Sequence, residues 1–395
     1  MHRNGSTSAA RRSSSASSVL RALLDHGPIA RSTIARLTGL SPASVTGHSA
    51  ELARLGLIRE APEAAGPKAI GRPHMPVDVD TDQFLVGGIH VAVPHVTVAL
   101  MDLRGRIVAQ REVPHAGADS LTILRRAASR LESLLGEDGD GRESLGVGVA
   151  TGGWVDRDSG TIVEHPLLDW HNVPARAVLS EATDRPIRVD AHSRALVNAE
   201  RLFGRSRTRT SALQLFFGNV VDAAFATGET VHHGPRSAAG AIAHLPIPGS
   251  TEPCACGREG CLQATVSEQT LARNAHQLGL IDEPSFPALF RRARAGDPPA
   301  LELFLDRSRV VGQAAALLID VLNPEVLILV GQGFEFPGAL STVRDEVRSR
   351  SSVCEDATET VVPTSFPGTE LATAAGAVML DVLYGDPLNI SSPGN

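Results

Sequence analysis

No phenylalanine, tryptophan or tyrosine precedes Phe84, so the first fifth of the chain has only aliphatic side chains from which to build a core. Such a segment can close only a small module. Charge divides at nearly the same place: residues 1–80 hold ten Lys/Arg against six Asp/Glu, a balance of +4, and with a total of −7 the remainder carries −11. A basic, ring-free front end joined to an acidic, ring-containing body implies at least two folding units, as a length of 395 residues already does. Hydrophobic residues at 42% and charged residues at 21% suit a soluble globular chain, and no apolar run reaches the ~18–20 residues of a bilayer span. The polar start MHRNGSTSAARRSSSASS lacks the apolar stretch of a secretory signal, and four cysteines do not make a disulfide scaffold. A reducing cytoplasm is expected.

The Ser/Ala/Arg-rich residues 1–17 read as a disordered lead. From residue 18 the apolar spacing turns helical. SSVLRALLDHG sets Val19, Leu20, Leu23 and Leu24 on one face and stops at Gly27. RSTIARLTGL gives a second short helix with Ile34, Leu37 and Leu40 inward. SPASVTGHSAELARLGLI opens a third, with Ser41 as N-cap, Pro42 at the first helical position and Val45, Leu52 and Leu55 at the helical interval. The tight TGLS turn makes the last two a helix-turn-helix. The outward face of the third helix carries Ser44, Thr46, Gly47 and His48, small and mostly uncharged groups that let base edges approach; a merely solvated face would carry more Glu and Lys. GLIRE and HMPVDVD read as two strands of a wing, joined by APEAAGPKAIGRP, where Arg72 before Pro73 presents one guanidinium rigidly to a minor groove and Lys68 lies close by. Residues 18–80 are therefore read as a winged helix-turn-helix that contacts double-stranded operator DNA through Ser41, Ser44, Thr46, Gly47, His48, Lys68 and Arg72. A helical interaction module with no DNA partner is the alternative.

Beyond Phe84 the period changes from helix to strand. FLVGGIHVAV, HVTVALMD and RIVAQREV, with the turn LRGR between the last two, are followed by a helix near 120–136 and the apolar strand SLGVGVA. That order opens an α/β lobe of actin-like or ribonuclease-H-like type. ALQLFFGNVVDAAFATGETV starts a second lobe with the same strand-strand pattern, PEVLILVGQG supplies a later strand and a Gly-containing turn, and ELATAAGAVMLDVL a closing helix. The expected body is residues 81–395, split into a lobe of about 81–200 completed by the helix 370–385 and a lobe of 201–369.

Three of the four cysteines fall within AGAIAHLPIPGSTEPCACGREGC, residues 239–261. His244 is followed after nine residues by Cys254, after one more by Cys256 and after four more by Cys261. One imidazole and three thiolates are a set that closes a tetrahedral zinc site, and Gly257 and Gly260 let the chain bend around the ion. A disulfide among three thiols would leave one odd and suits a reducing compartment poorly. A buried cluster without a ligand is the remaining alternative. Cys354 stands apart and reads as an ordinary core or surface residue.

The winged helix followed by this body, with the cysteine motif as the most specific element, resembles the ROK family of repressors, open reading frames and sugar kinases from about residue 18 to 385. The resemblance implies a structural Zn2+ on His244, Cys254, Cys256 and Cys261 that fixes the loop of His244, a residue that in relatives also touches the sugar. It also implies where a kinase would carry its machinery. The first strand of those kinases ends in an Asp-x-Gly-x-Thr turn; here GGIHVAVPHVTV has His90 in place of the acid and Val93-Pro94 in place of the glycines, which removes an amide donor and blocks close approach. FFGNVVDAAF stands where the second glycine-rich phosphate loop would be, and the Gly-x-Gly of LVGQGF is weak evidence for a nucleotide. On the sugar side, the family's Asn-Asp pair is Val189-Asp190, the Glu three residues before the zinc histidine is Ala241, and the Glu two residues after the last cysteine is Gln263. Asp190 matches the catalytic base, although an acid there equally suits a cap for the following helix. Each lost hydrogen bond to a charged group is worth about 1.5–3 kcal/mol, roughly tenfold to a hundredfold in affinity. Trp154 and Trp170 either line the cleft or belong to the core. By resemblance the chain is expected to be a transcription regulator without catalysis, a repressor rather than an activator, dimeric or tetrameric, whose effector is a carbohydrate or sugar phosphate at Asp190, His244 and Gln263. Two other readings stay open: a sugar kinase with an appended DNA-binding domain, with Asp190 as its vestigial catalytic candidate, and a DNA-binding regulator that senses no ligand.

Overall fold

The computed structural model describes residues 4–64, 75–205, 210–228 and 230–390. The chain divides into two compact units, one of Met1–Ala150, Pro174–Asp190 and Leu371–Asn395, the other of Thr151–Val173 and Ala191–Glu370.

The first unit contains the ring-free module. Its three helices are Asn4–His26, Arg31–Thr38 and Pro42–Arg54. Their core is aliphatic throughout, with Val19, Leu20, Leu23, Ile34, Val45 and Leu52 fully buried. Ile58–Glu60 and Pro76–Val79 pair antiparallel as the expected strands, and a two-residue strand, Ile29–Ala30, pairs with the other edge of Pro76–Val79. This third strand leaves no signature in the sequence, since two residues are too few to show a period.

Two readings of this region need correction. Residues 4–17 are not a disordered lead but the first turns of the helix that begins at Asn4. Ala and Arg are strong helix formers, and distant partners anchor this end: Ala16 is buried, the Ser17 hydroxyl donates to the Tyr384 carbonyl and the Ser13 hydroxyl to the Asp386 carboxylate. Leu37 is exposed rather than inward, because the second helix has only eight residues and buries Ile34 alone.

The same unit holds a five-stranded sheet in the order Ile187–Ala191, Glu143–Thr151, Phe84–Val91, His95–Asp102, Ile107–Pro114, the last three an antiparallel meander. The helix Ser120–Asp138 is N-capped by Asp119 and buries Ile123, Leu124, Ala127 and Leu131. The C-terminal helix Glu370–Gly385 is buried along nearly its whole length from Ala372 to Tyr384.

The second unit repeats the plan. Its sheet runs Thr230–Val231, Val221–Thr227, Ser211–Phe217, Val326–Val330, Val361–Pro363, again a meander of three followed by strands that enter after helical crossings, here parallel. Leu213, Leu215, Phe217, Leu327 and Leu329 bury against Val311, Ala315 and Ile319 of the long helix Pro298–Leu322. This repetition of strand order is the mark of the actin-like, ribonuclease-H-like architecture. The expected boundary at residue 200 shifts. Helix His192–Phe203 belongs to the second unit, because it is bonded to that unit's sheet: His192 Nε2 lies 3.0 Å from Asp222 Oδ2, and Gln214 Nε2 donates to the Ser193 carbonyl at 3.3 Å. A small sheet of Trp154–Asp156, Thr161–His165 and Trp170–Val173 goes with it. No described helix is long and apolar enough to cross a membrane.

Candidate functional site

Three places carry the chemistry that the sequence singled out. The first is the cysteine loop. The candidate ligand atoms of His244, Cys254, Cys256 and Cys261 all lie within 4.8 Å of one another. Cys256 Sγ and Cys261 Sγ are 3.7 Å apart, and His244 Nδ1 is 3.5 Å from Cys254 Sγ. Zinc at ~2.3 Å from sulfur and ~2.0–2.1 Å from nitrogen in a tetrahedron sets S···S edges of about 3.8 Å and S···N edges of about 3.5 Å. The residues therefore fit the ion in both donor chemistry and spacing.

The backbone explains the closeness. Leu262 N donates to the Leu245 carbonyl and Gln263 N to the Ala243 carbonyl, so the chain on either side of His244 is zipped to the segment that follows Cys261. Cys254 N donates to the Arg258 carbonyl and Gly257 N to the Cys254 carbonyl, which closes a tight turn around Cys256. Gly260 has a φ of 69°, and a Cβ there would meet the Ser250 carbonyl oxygen at 2.5 Å. Arg258 donates through Nε to Cys256 Sγ, holding that thiol down at about 6, whereas burial pushes Cys261 up to about 11. Cys354 is half-buried against the core of the second unit.

The second place is the third helix. Ser41 is its N-cap, accepting from Ser44 N at 3.2 Å, and the Thr46 hydroxyl donates to the Pro42 carbonyl at 2.8 Å. Both hydroxyls thus serve the helix while keeping lone pairs for a donor from outside. Ser44, Gly47, His48, Ala50, Glu51 and Arg54 line an open concavity of about 440 Å³. A Cβ on Gly47 would touch nothing within 4 Å, whereas His48 is half-buried and its Nδ1 is buried without a hydrogen-bond partner among the described residues. Arg54 was missed in the sequence. Stepping by three or four from Ser44 through Gly47, His48 and Glu51 would have found it. Lys68 and Arg72 lie outside the described residues.

The third place is the pair of loops where a phosphate would be cradled. In the second unit four of these amides are already in use. Gly218 N donates to the Val220 carbonyl, Val221 N to Gln263 Oε1 at 3.0 Å, and Ala223 N to the Gly240 carbonyl. Gly333 N donates at 2.7 Å to the Glu335 carboxylate, which sits where an anion would. The glycines of LVGQGF have a packing reason: side chains at Gly331 and Gly333 would run into the Phe217 carbonyl and the Phe304 ring. Asp222 adds a further carboxylate, in contact with His192 and Ser193. Arg307, fully buried, spends its donors on the carbonyls of Val266, Gln332 and Phe217, and burial lowers it to about 10. In the first unit His90 is buried within strand Phe84–Val91, and the neighbouring Ala92 N closes the hairpin onto His95 O.

Of the predicted effector residues, Asp190 is buried at the end of strand Ile187–Ala191 in the first unit, while His244 and Gln263 belong to the second. Asp190 is not the cap of the next helix, whose N-cap is Ala191 with no side-chain bond. Val189 is buried and Ala241 exposed. Trp170 is buried, whereas Trp154 is half-buried, donating through Nε1 to the Arg236 carbonyl with the Arg236 guanidinium 4.6 Å above its ring.

Residues 86–380 match the ROK family, and a transcriptional regulator of Mycobacterium tuberculosis is 35% identical over 95% of this chain and 87% of its own length. The chain belongs to the ROK family. The DNA-binding transcriptional repressor Mlc of Escherichia coli is 25% identical, with 95% of each chain covered. Among solved structures, a ROK family transcriptional regulator homologous to E. coli Mlc matches with a TM-score of 0.79 at 21% identity, covering 96% of this chain and 98% of its own. The ROK hexokinase of Thermus thermophilus matches with a TM-score of 0.60 at 27% identity, but its 99% coverage spans only 75% of this chain. ROK members thus include kinases and regulators on one body. This chain has the length of the regulators, and the ROK match begins only after the ring-free module.

Proposed function

We propose that this ROK protein is a DNA-binding transcription regulator, a repressor, that works in the cytoplasm as a symmetric homodimer or a tetramer and does not phosphorylate sugars. The observation that carries the reading is the third helix, whose exposed face at Thr46 and Gly47 has small groups and open space. Ser41, Ser44, Thr46, Gly47 and His48 contact operator DNA, with Lys68 and Arg72 in the wing; two such helices ~34–36 Å apart meet successive major grooves. Its full-length relatives are named as transcriptional regulators and repressors.

His244, Cys254, Cys256 and Cys261 hold a structural zinc ion, which when bound supplies a cross-link that fixes the loop of His244. A sugar or sugar phosphate is the effector, met by Asp190, His244 and the remaining amide group of Gln263. Against kinase activity stand the internally bonded amides and the Glu335 and Asp222 carboxylates, since phosphoryl transfer depends on free backbone donors around the phosphates. A coupled assay for ADP release over a panel of hexoses tests this. No sugar-dependent release is expected; release abolished by Asp190→Asn would establish the kinase reading instead. In a thermal-shift screen of sugars and phosphosugars, stabilisation by at least one is expected, and stabilisation by none would favour a regulator that senses no ligand.

A further inference from the structure

We propose that Arg104 is a positioning residue for DNA recognition: one guanidinium clamps the winged-helix module to the body and fixes the angle at which the third helix is presented. The inference rests on the DNA-binding reading above.

Arg104 lies in the LRGR turn between strands His95–Asp102 and Ile107–Pro114 of the body. Its Nη1 donates to the Leu24 carbonyl at 3.1 Å, and its Nη2 donates to the Leu23 carbonyl at 3.2 Å and to the Asp78 carboxylate. Leu23 and Leu24 are in the last turn of the first helix; Asp78 is in the central strand of the module's sheet. A single planar fork therefore joins the body to two elements of the module that carry the third helix. The Leu23 carbonyl already accepts from Gly27 N at 2.8 Å, but Pro28 has no N–H to offer the Leu24 carbonyl, so the guanidinium supplies that missing donor and its charge also suits the helix dipole. A lysine has one point of attachment and cannot span these acceptors in the same way.

The clamp is built from both sides. On the body, the buried Asp102 carboxylate accepts from Arg104 N at 2.9 Å, from Arg106 N at 3.0 Å and from Arg106 Nε at 2.7 Å, which rigidifies the turn. The Tyr384 hydroxyl, fully buried, donates to the Leu103 carbonyl at 2.6 Å. On the module, Gly27 makes room: a Cβ there would run into the Asp78 carboxylate and the Leu23 carbonyl. The Arg104 and Asp78 side chains are 23% and 17% exposed, so solvent screens the pair less than it would a surface pair.

The test uses the full chain and a duplex obtained by in vitro selection with the unaltered protein, together with versions whose half-site spacing is lengthened by about half a helical turn, ~5 bp. The unaltered protein should lose tenfold or more in affinity when the spacing changes. Arg104→Ala should bind an isolated half-site within twofold of the unaltered protein yet lose less than threefold when the spacing changes, and Arg104→Lys should fall between. Asp78→Asn provides a second variant that breaks the same fork if Arg104→Ala does not fold. An unaltered protein indifferent to spacing, or clamp variants as sensitive as it, would overturn the proposal. Failure to select any duplex with the unaltered protein would instead refute the DNA-binding reading. Hydrogen exchange then decides the clamp alone: faster exchange over residues 23–30 and 76–80 in Arg104→Ala is expected, and unchanged exchange overturns it.

Discussion

At the scale of single residues, the candidate metal ligands were the most legible part of the molecule. All four lie within 18 residues, and their spacing already limits how far apart they can be. Replacing Cys256 by Ser should lower bound zinc well below the expected ratio of about one ion per chain, as read by metal analysis; undiminished zinc would contradict the assignment. Gln263 was less legible. Its partner, Val221 N, is 42 positions away, so a side chain expected at the effector also holds the loop FFGNVVDAAF. Gly47 offers a test with two opposite signs. An alanine there meets no neighbour and should stabilise the helix by roughly 0.5–1 kcal/mol in urea denaturation. The same methyl should weaken duplex binding, and equal affinity would remove Gly47 from the interface.

At the scale of elements, strands and helices of the body followed the apolar period closely, because each buries one face or both. The first helix did not. Its N-terminal turns carry no apolar stripe, and what anchors them, Ser13 and Ser17 against the end of the C-terminal helix, joins residues more than 360 positions apart. In the loops of the second unit, Gly331 and Gly333 have close packing neighbours and Glu335 takes the Gly333 amide. Arg307 holds three of that region's carbonyls from the long helix Pro298–Leu322. Arg307→Ala would leave those acceptors buried without a donor, and a loss of about 3–5 kcal/mol in denaturant unfolding is expected. A loss under ~1 kcal/mol would mean that water reaches the carbonyls and that the region is not closed.

At the scale of the whole molecule, two repeats of one α/β plan carry a module that the kinases of the family lack, and charge separates the two: a basic front end on an acidic body. That separation was visible in the sequence. The boundary between the two lobes was not, because helix His192–Phe203 follows the first sheet in sequence but bonds to the second. Arg72→Ala, at the residue expected to reach the minor groove, should weaken DNA binding by about 1–3 kcal/mol at fixed salt, measured by anisotropy titration; an unchanged dissociation constant would reject the proposed role of Arg72. The most direct test of the central claim is to sequence the genomic DNA retained by the intact protein. The account predicts enrichment of a palindromic site whose half-sites are a whole number of helical turns apart, and retention without sequence preference would contradict it.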